Sequence, residues 1–275
     1  MNLKGISPKK SLGQNFLIDR NIAQKTVNLL DIQPGDNILE IGPGTGALTS
    51  ILLEKKCNLT AVEIDIRAIE ELQTKFPKSK FPNFRLIHSD FKHFDISNLG
   101  IESGLKVIGN IPYYLSSEIF FKLFESKELL NCAVMTVQKE LAHRLSAAIG
   151  TKDYGVLALA MRMCGKCSIE FDVSPTCFYP APNVWSSVIK MDFSSVDYTV
   201  DNYFGVMKII RAAYNQRRKM LSNSLKTNLQ NIDFSGLDNE SAIRLKTLES
   251  LRPERLEVKD FDFLYKIISR TNKLS

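Results

Sequence analysis

The sequence predicts an α/β protein: a mostly parallel sheet covered by helices on both faces, followed by a smaller all-helical part. Three observations lead there. Short apolar runs alternate with amphipathic stretches from residue 37 to about 149, the pattern of repeated β-α units. A glycine-rich turn, GPGTG, follows the first run directly. Strand signals then stop near Ser194, and the remainder carries only helical periodicity. At 275 residues with 44% hydrophobic content, the chain can bury one large core and a second small one. The division is expected at residues 1–195 and 196–275.

Each element follows from local pattern. Residues 21–31 place Ile22, Ala23, Val27 and Leu30 on one helical side and end before Pro34-Gly35. NILEIG (37–42) reads as a buried strand, ALTSILLEKK as a helix, LTAVEID (59–65) as a second strand and IRAIEELQTKF as a second helix. FRLIHSD (84–90) and LKVIGN (105–110) are further strands, then come the helix SSEIFFKLF, the strand CAVMTVQ (132–138) and the helix KELAHRLSAAI. After GVLALAMRMC and the loop VSPTCFYPAPNVWSSV, a strand VIKMDF would complete the sheet.

Composition excludes some classes. No run reaches the roughly 18 apolar residues of a membrane span, and the first residues lack the apolar core of a secretory signal, so a soluble, cytoplasmic protein is expected. Five cysteines, Cys57, Cys132, Cys164, Cys167 and Cys177, point to reduced thiols. Cys164 and Cys167 have CxxC spacing, but no second pair or nearby histidine completes a zinc site, and no metal is expected. Net charge is +6, concentrated at the ends: residues 201–275 hold 14 Lys and Arg against 9 Asp and Glu, and residues 1–20 hold Lys4, Lys9, Lys10 and Arg20 against Asp19. Both a polyanionic partner and a solubility device fit this distribution.

In an open parallel sheet, ligands lie beyond the carboxyl ends of the strands. The first end carries Gly42, Gly44 and Gly46, spelling GxGxG rather than the GxGxxG of a dinucleotide site. The second ends in Val62-Glu63-Ile64-Asp65, where the Glu63 carboxylate can accept both hydroxyls of a ribose. The third ends in Ser89-Asp90, suited to accept from the exocyclic amine of an adenine. The fourth ends in Asn110-Ile111-Pro112-Tyr113-Tyr114. Singly, Glu63 could cap the next helix, Asp90 begin a turn and Pro112 end a strand; the ordered set is harder to explain that way.

The fourth end makes sense as an amine clamp. An adenine amine is a poor nucleophile because its lone pair is delocalised into the ring. If the Asn110 side-chain oxygen and the backbone carbonyl of Ile111 or Pro112 each accept one N–H, the nitrogen is drawn toward tetrahedral geometry. Pro112 fixes φ and so aims the carbonyl, and Tyr113 would stack on the base. The base must be unpaired or flipped out to enter.

The ordered motifs resemble those of S-adenosylmethionine-dependent amino-methyltransferases. KKSLGQNFL (9–17), EIGPGTGALT (40–49), VEID (62–65), SD (89–90), NIPYYLSS (110–117), VQKELAHRL (137–145), CFYPAPNVWSSV (177–188) and AAYNQRRKML (212–221) occur in one order along nearly the whole chain. In this the chain is similar to the small-subunit ribosomal RNA adenine N6,N6-dimethyltransferase family. The resemblance implies a Rossmann-like catalytic domain over 1–195 and an RNA-binding helical domain over 196–275. It implies S-adenosyl-L-methionine as cofactor and, as partner, the RNA of an assembling 30S-type particle, met by a monomer. It further implies that Asn15 and Leu17 reach the methionine end of the cofactor, that Gly42, Gly44, Glu63, Asp90 and Asn110 line the rest, and that Phe178 is a second aromatic facing Tyr113 across the target adenine.

The chain departs from the family pattern at Tyr114, often asparagine, at Ser89, often glycine, and at Asn183-Val184-Trp185 in place of Lys-Val-Asp. In the C-terminal part, Arg211, Arg217, Arg218 and Lys219 are expected on one helix with Tyr214 and Met220, as phosphate contacts or as a solvated face. Two other functions stay open: methylation of large-subunit RNA of the antibiotic-resistance type, and a mainly nucleic-acid-binding assembly or transcription factor.

Overall fold

A computed structural model describes residues 6–226 and 237–271; Lys4 of the basic N-terminus lies outside them. In chain order the elements are β1 (Phe16–Leu17), α1 (Arg20–Asn28), β2 (Asn37–Ile41), α2 (Thr49–Leu52), β3 (Asn58–Glu63), α3 (Ile66–Lys75), β4 (Phe84–His88), β5 (Leu105–Asn110), α4 (Ser116–Glu125), β6 (Leu130–Gln138), α5 (Lys139–Leu145), α6 (Val156–Cys164), β7 (Lys166–Val173), β8 (Phe178–Tyr179), β9 (Ser186–Asp192) and α7 (Tyr203–Tyr214). Beyond α7 the described helices include Leu221–Ser224, Asn239–Glu249 and Val258–Thr271.

Two compact units result. The first joins the chain up to His143 with Lys166–Ser195; the second joins Arg144–Gly165 with the chain from Val196. The sequence-based division at 195/196 is one of the crossings. The segment 144–165, assigned by sequence to the first domain, instead falls with the second, where the Tyr154 hydroxyl donates to the Leu256 carbonyl and the Gly150 N–H to the Glu254 carbonyl.

The first unit is a seven-stranded sheet in the order β4-β3-β2-β5-β6-β9-β7. The first five are mutually parallel; β9 runs antiparallel to β6, and β7 antiparallel to β9. The central strands are apolar on both faces, as burial under helices on each side requires: Leu39, Ile41, Val107, Ile108, Val134 and Met135 are all buried. Helix starts are set locally. Asp19 accepts from the N–H groups of Asn21 and Ile22 at 2.8 and 3.1 Å and so caps α1, while Asp65 caps α3 through Arg67 N–H.

The sequence reading has no strand at 166–173, and β7 is there. Its apolar residues Cys167, Ile169, Phe171 and Val173 do alternate, but among the described residues it is an edge strand paired with β9, a dozen residues later, and its pairing shifts register between Ile169 and Phe171. The two-residue antiparallel pair of β1 and β8 was equally invisible, because two residues carry no periodicity.

Register decides where the chemistry goes. Ile41 pairs with Val62 and with Gly109, Glu63 with His88, and Asn110 with Thr136. The four strand ends therefore finish level, and Gly42, Glu63, Asp90 and Asn110 emerge along one edge of the sheet. Gly109 permits this closeness: a Cβ there would stand 2.8 Å from the Ile41 carbonyl oxygen.

Candidate active site

That edge opens into a cavity enclosing about 160 Å³ of water-accessible space. Of the sequence-predicted residues, Asn15, Leu17, Gly42, Gly44, Glu63, Asp90, Asn110, Pro112 and Tyr113 all line it. The segment 12–17 is a strap across the cavity, held by β1 pairing with β8. It runs close over the glycine turn: a Cβ on Gly44, whose φ is +53°, would meet the Phe16 ring at 2.9 Å.

Glu63, only 5% exposed, holds the turn in place. One carboxylate oxygen accepts from Gly44 N–H at 3.0 Å; the other accepts from the N–H groups of Ile64 and Asp65, both at 2.9 Å. Burial pushes its carboxyl above the ordinary value, against the pull of these amides. It does not cap α3; that role belongs to Asp65. An aspartate just before the periodic run IRAIEEL is a recognisable helix start, so the signal was present.

Glu40 was not singled out by sequence. It sits mid-edge on β2, 1% exposed, and lines the cavity. Its Oε2 accepts from Thr49 Oγ1 at 2.8 Å, and its Oε1 has no hydrogen-bond partner. Burial, with the charge of Glu63 adding to it, pushes its carboxyl up to about 8. Asp90 both lines the cavity and begins a turn: its Oδ1 accepts from Lys92 N–H at 2.9 Å.

At the fourth strand end the Asn110 amide nitrogen donates to the Asn15 backbone carbonyl at 2.8 Å. A carbonyl only accepts, so the contacting atom is the NH₂ group, and Oδ1 is the acceptor that remains. Of the two backbone carbonyls offered by sequence, that of Pro112 is occupied by Leu115 N–H at 3.1 Å and Ser116 Oγ at 3.2 Å. The Tyr113 hydroxyl is 2.6 Å from Ser186 Oγ at the start of β9, which pins the ring; burial raises the phenol's pKa.

Behind the strap lies a second network that sequence did not reveal. Asp65 accepts from Gln14 Nε2 at 3.0 Å and from Arg67 at 3.0 and 2.5 Å, with the Lys9 ammonium 3.9 Å away. The Arg67 hydrogen bonds hold its carboxyl down to about 2.

Phe178 does not stand opposite Tyr113 as an exposed ring. It is 2% exposed, belongs to the core cluster with Leu17, Val173 and Val188, and is absent from the cavity wall. The cause is alternation along β8, which turns residue 178 inward and leaves Tyr179 in solvent. The expected basic helix also differs. Arg211 is on α7, which ends at Tyr214, whereas Arg217, Arg218 and Lys219 lie in the turn that follows. Arg217 is tied to the Glu254 carboxylate at 3.1 Å and to the Thr151 carbonyl; Arg211, Arg218 and Lys219 are exposed. Among the described residues no cluster of His, Cys, Asp and Glu suits a metal ion, and no helix is long and apolar enough to cross a membrane.

A sheet of this order with its cavity at the carboxyl edge is the Rossmann-like fold of methyltransferases. A dimethyladenosine transferase from Plasmodium falciparum superposes with a TM-score of 0.77, covering 94% of this chain and 98% of its own at 24% identity. The 23S rRNA methyltransferase ErmE gives 0.67, covering 93% and 100% at 19% identity. The sequence is more specific. The family model for ribosomal RNA adenine dimethylase matches residues 5–257, and the chain belongs to that family. Ribosomal RNA small subunit methyltransferase A of Chlorobaculum tepidum is 41% identical over 246 residues, 90% of this chain and 86% of its own. Its counterpart in Malacoplasma penetrans is 36% identical over 248 residues, 90% and 87%.

Proposed function

We propose that the chain is an S-adenosyl-L-methionine-dependent methyltransferase that dimethylates the N6 amines of two adjacent adenines near the 3′ end of small-subunit ribosomal RNA. The observation that carries this reading is the orientation of Asn110: its NH₂ group is committed to the Asn15 carbonyl, leaving its oxygen as an acceptor in the same cavity as Glu63 and Asp90.

The wall of the cavity fits the cofactor. Besides Tyr113 and Tyr114, its ionisable groups are Glu40, Glu63, Asp90 and Lys92; with Glu40 held protonated by burial, the carboxyls of Glu63 and Asp90 still outnumber the one ammonium, which suits a phosphate-free cation. When bound, S-adenosyl-L-methionine supplies an electrophilic methyl on a positively charged sulfur. Asn15 and Leu17 face its methionine part, Gly42 and Gly44 let the backbone come close, Glu63 accepts from ribose hydroxyls and Asp90 from the adenine amine.

On the substrate side, Asn110 Oδ1 and the Ile111 carbonyl each accept one N–H of the target amine, the Pro112 carbonyl being occupied. The nitrogen lone pair is thereby loosened from the ring. Tyr113 stacks on the base in an orientation set by Ser186. A strong general base is not needed, since the methylated amine is acidic enough to release its proton to water; catalysis rests on positioning and electrostatics. Phe178 acts at one remove, by packing with Leu17 and so placing the strap. Arg211, Arg218 and Lys219 contact RNA phosphates without reading bases. The protein works as a cytoplasmic monomer on an assembling 30S-type particle.

The test is methylation of unmodified small-subunit particles and of large-subunit RNA with labelled S-adenosyl-L-methionine, followed by mass spectrometry of the adenosines. Dimethyladenosine is expected in the particles, and Asn110→Ala should lower kcat by about a hundredfold or more. Label confined to large-subunit RNA would overturn the assignment; unmethylated particles that still mature only when the protein is present would favour the binding-factor reading.

A further inference from the structure

Three large aromatic side chains stand in solvent around the cavity. Tyr114 is 59% exposed, Trp185 53% and Tyr179 49%. One is on the cavity wall, and the other two each adjoin a residue tied to it. Tyr114 lines it and follows the Tyr113 clamp. Trp185 precedes Ser186, whose hydroxyl holds Tyr113 at 2.6 Å. Tyr179 pairs with Phe16 of the strap. The Tyr114 ring is seated against Gly13: a Cβ on that glycine would fall 2.9 Å from two of its ring carbons. Trp185 is held at its backbone, where its carbonyl accepts from Lys139 N–H at 3.0 Å. The Tyr114 ring is fixed by its contact with Gly13, the backbones of Trp185 and Tyr179 are fixed by their pairing, and all three side chains are about half exposed, on a chain carrying a net charge of +6.

We infer that Tyr114 and Trp185 form a stacking platform for the unpaired nucleotides adjoining the target adenine, with Tyr179 at its margin. The inference rests on the proposed RNA methylation and adds to it a surface and its occupant. Bringing an adenine into the clamp separates it from its neighbours in the strand, and that unstacking has a free-energy cost. A neighbouring base laid on an exposed ring recovers part of it, without regard to base identity, because every base has a π-face. The sequence points the same way. Both positions flank the clamp: Tyr114 follows Tyr113 directly, and Trp185 precedes the Ser186 that holds it. An apolar contact with a ribosomal protein is the competing occupant. It differs in one property: it requires apolar area but not a ring.

That difference sets the experiment. Initial rates on unmodified small-subunit particles are measured for the full-length wild type and for Trp185→Phe, Trp185→Leu and Trp185→Ala, with the same three changes at Tyr114. S-adenosyl-L-methionine affinity and melting temperature are recorded alongside. Stacking predicts that Ala and Leu each lower kcat/KM for particles roughly tenfold while Phe stays within about twofold. Cofactor affinity and melting temperature should be unchanged in the Trp185 variants, whose side chain is more than half exposed and lies off the cavity wall; for the Tyr114 variants, whose ring rests on the strap, the Leu-against-Phe difference in kcat/KM for particles is the readout. Leucine variants as active as the phenylalanine variants would overturn the inference in favour of an apolar protein contact. Alanine variants within twofold of wild type would overturn it outright, with the methylation reading intact. A wild type that leaves the particles unmethylated would instead remove the reading on which the inference rests.

Discussion

Replacing Glu63 by alanine should damage stability and cofactor affinity together, by separable amounts. In the free protein its carboxylate is the acceptor for three backbone N–H groups, those of Gly44, Ile64 and Asp65, at 2.9 to 3.0 Å. Leaving a buried donor unpaired costs about 1–3 kcal/mol. Water entering from the cavity would serve part of the three, and removing a buried carboxyl relieves its own desolvation, so a net loss of roughly 2 kcal/mol is expected. Two hydrogen bonds from ribose hydroxyls to a charged acceptor are worth together about 3 kcal/mol after competition with water, or on the order of a hundredfold in Kd. Urea denaturation without cofactor measures the first quantity and titration calorimetry with S-adenosyl-L-methionine the second. Glu63→Gln sharpens the test. Both carboxylate oxygens face N–H donors, so an amide must turn its own NH₂ toward one of them, and glutamine should be nearly as destabilising as alanine. A Gln variant within 0.5 kcal/mol of wild type, on the order of the scatter of neutral surface changes, would refute the account of the turn. An Ala variant within threefold of wild-type affinity would refute the ribose role.

Two other outcomes follow from charge. Glu40, pushed up to about 8 chiefly by burial, ionises near its ordinary 4.5 once unfolded. The folded form therefore holds its proton more tightly, and wild-type stability should decline as pH rises from about 4.5 to about 8. Glu40→Gln cannot ionise yet keeps an acceptor for Thr49, so its stability relative to wild type should climb across that window, by on the order of 3–5 kcal/mol at the upper end; parallel pH curves from denaturant titration of the two proteins would refute this. In the second unit, Arg218→Ala with Lys219→Ala should weaken particle binding and reduce the steepness of its salt dependence by one to two units of slope. Arg217→Ala, whose guanidinium already has Glu254 and Thr151 as partners, should lower unit stability by about 1 kcal/mol or less and leave that slope unchanged; the reverse ordering in filter-binding titrations would exchange the two roles.

The parallel part of the sheet was legible because its signals are local. Apolar runs such as NILEI and LKVI, bounded by glycine and polar turns, specify buried strands without knowledge of their partners. Sheet topology then brings Gly42, Glu63, Asp90 and Asn110 to one edge, so most of the site could be read as a consequence of fold. What escaped depends on distant partners. β7 needs β9 to satisfy its backbone, and β1 needs β8. The inward turn of Phe178 follows from that same two-residue pairing, which no periodicity announces. Arg217 illustrates the limit for charge: spacing puts it beside Arg218, but Glu254, 37 residues later, takes its guanidinium out of the solvent-facing set. The grouping of 144–165 with the C-terminal helices likewise rests on contacts such as Tyr154 to Leu256, 102 residues apart.

The strap joins the two halves of the site into one device. Asn15 supplies the carbonyl that sets which end of the Asn110 amide is left to accept, and Phe16 lies on Gly44 beside the acidic edge. The same segment is held from behind by Gln14, which donates to Asp65 and accepts from Lys9 N–H at 2.8 Å. Asp65, buried and kept ionised by Arg67 far below neutral pH, is a fixed anchor across the physiological range. It is also the cap of α3 and sits two residues beyond Glu63. A displacement of the strap would therefore disturb the amide that receives the substrate and the turn that receives the cofactor in one movement. An acceptor whose misplacement by about 1 Å can cost roughly a hundredfold in rate has to be built on such shared supports, and here one backbone carbonyl, delivered from 95 residues away, decides the polarity of the clamp.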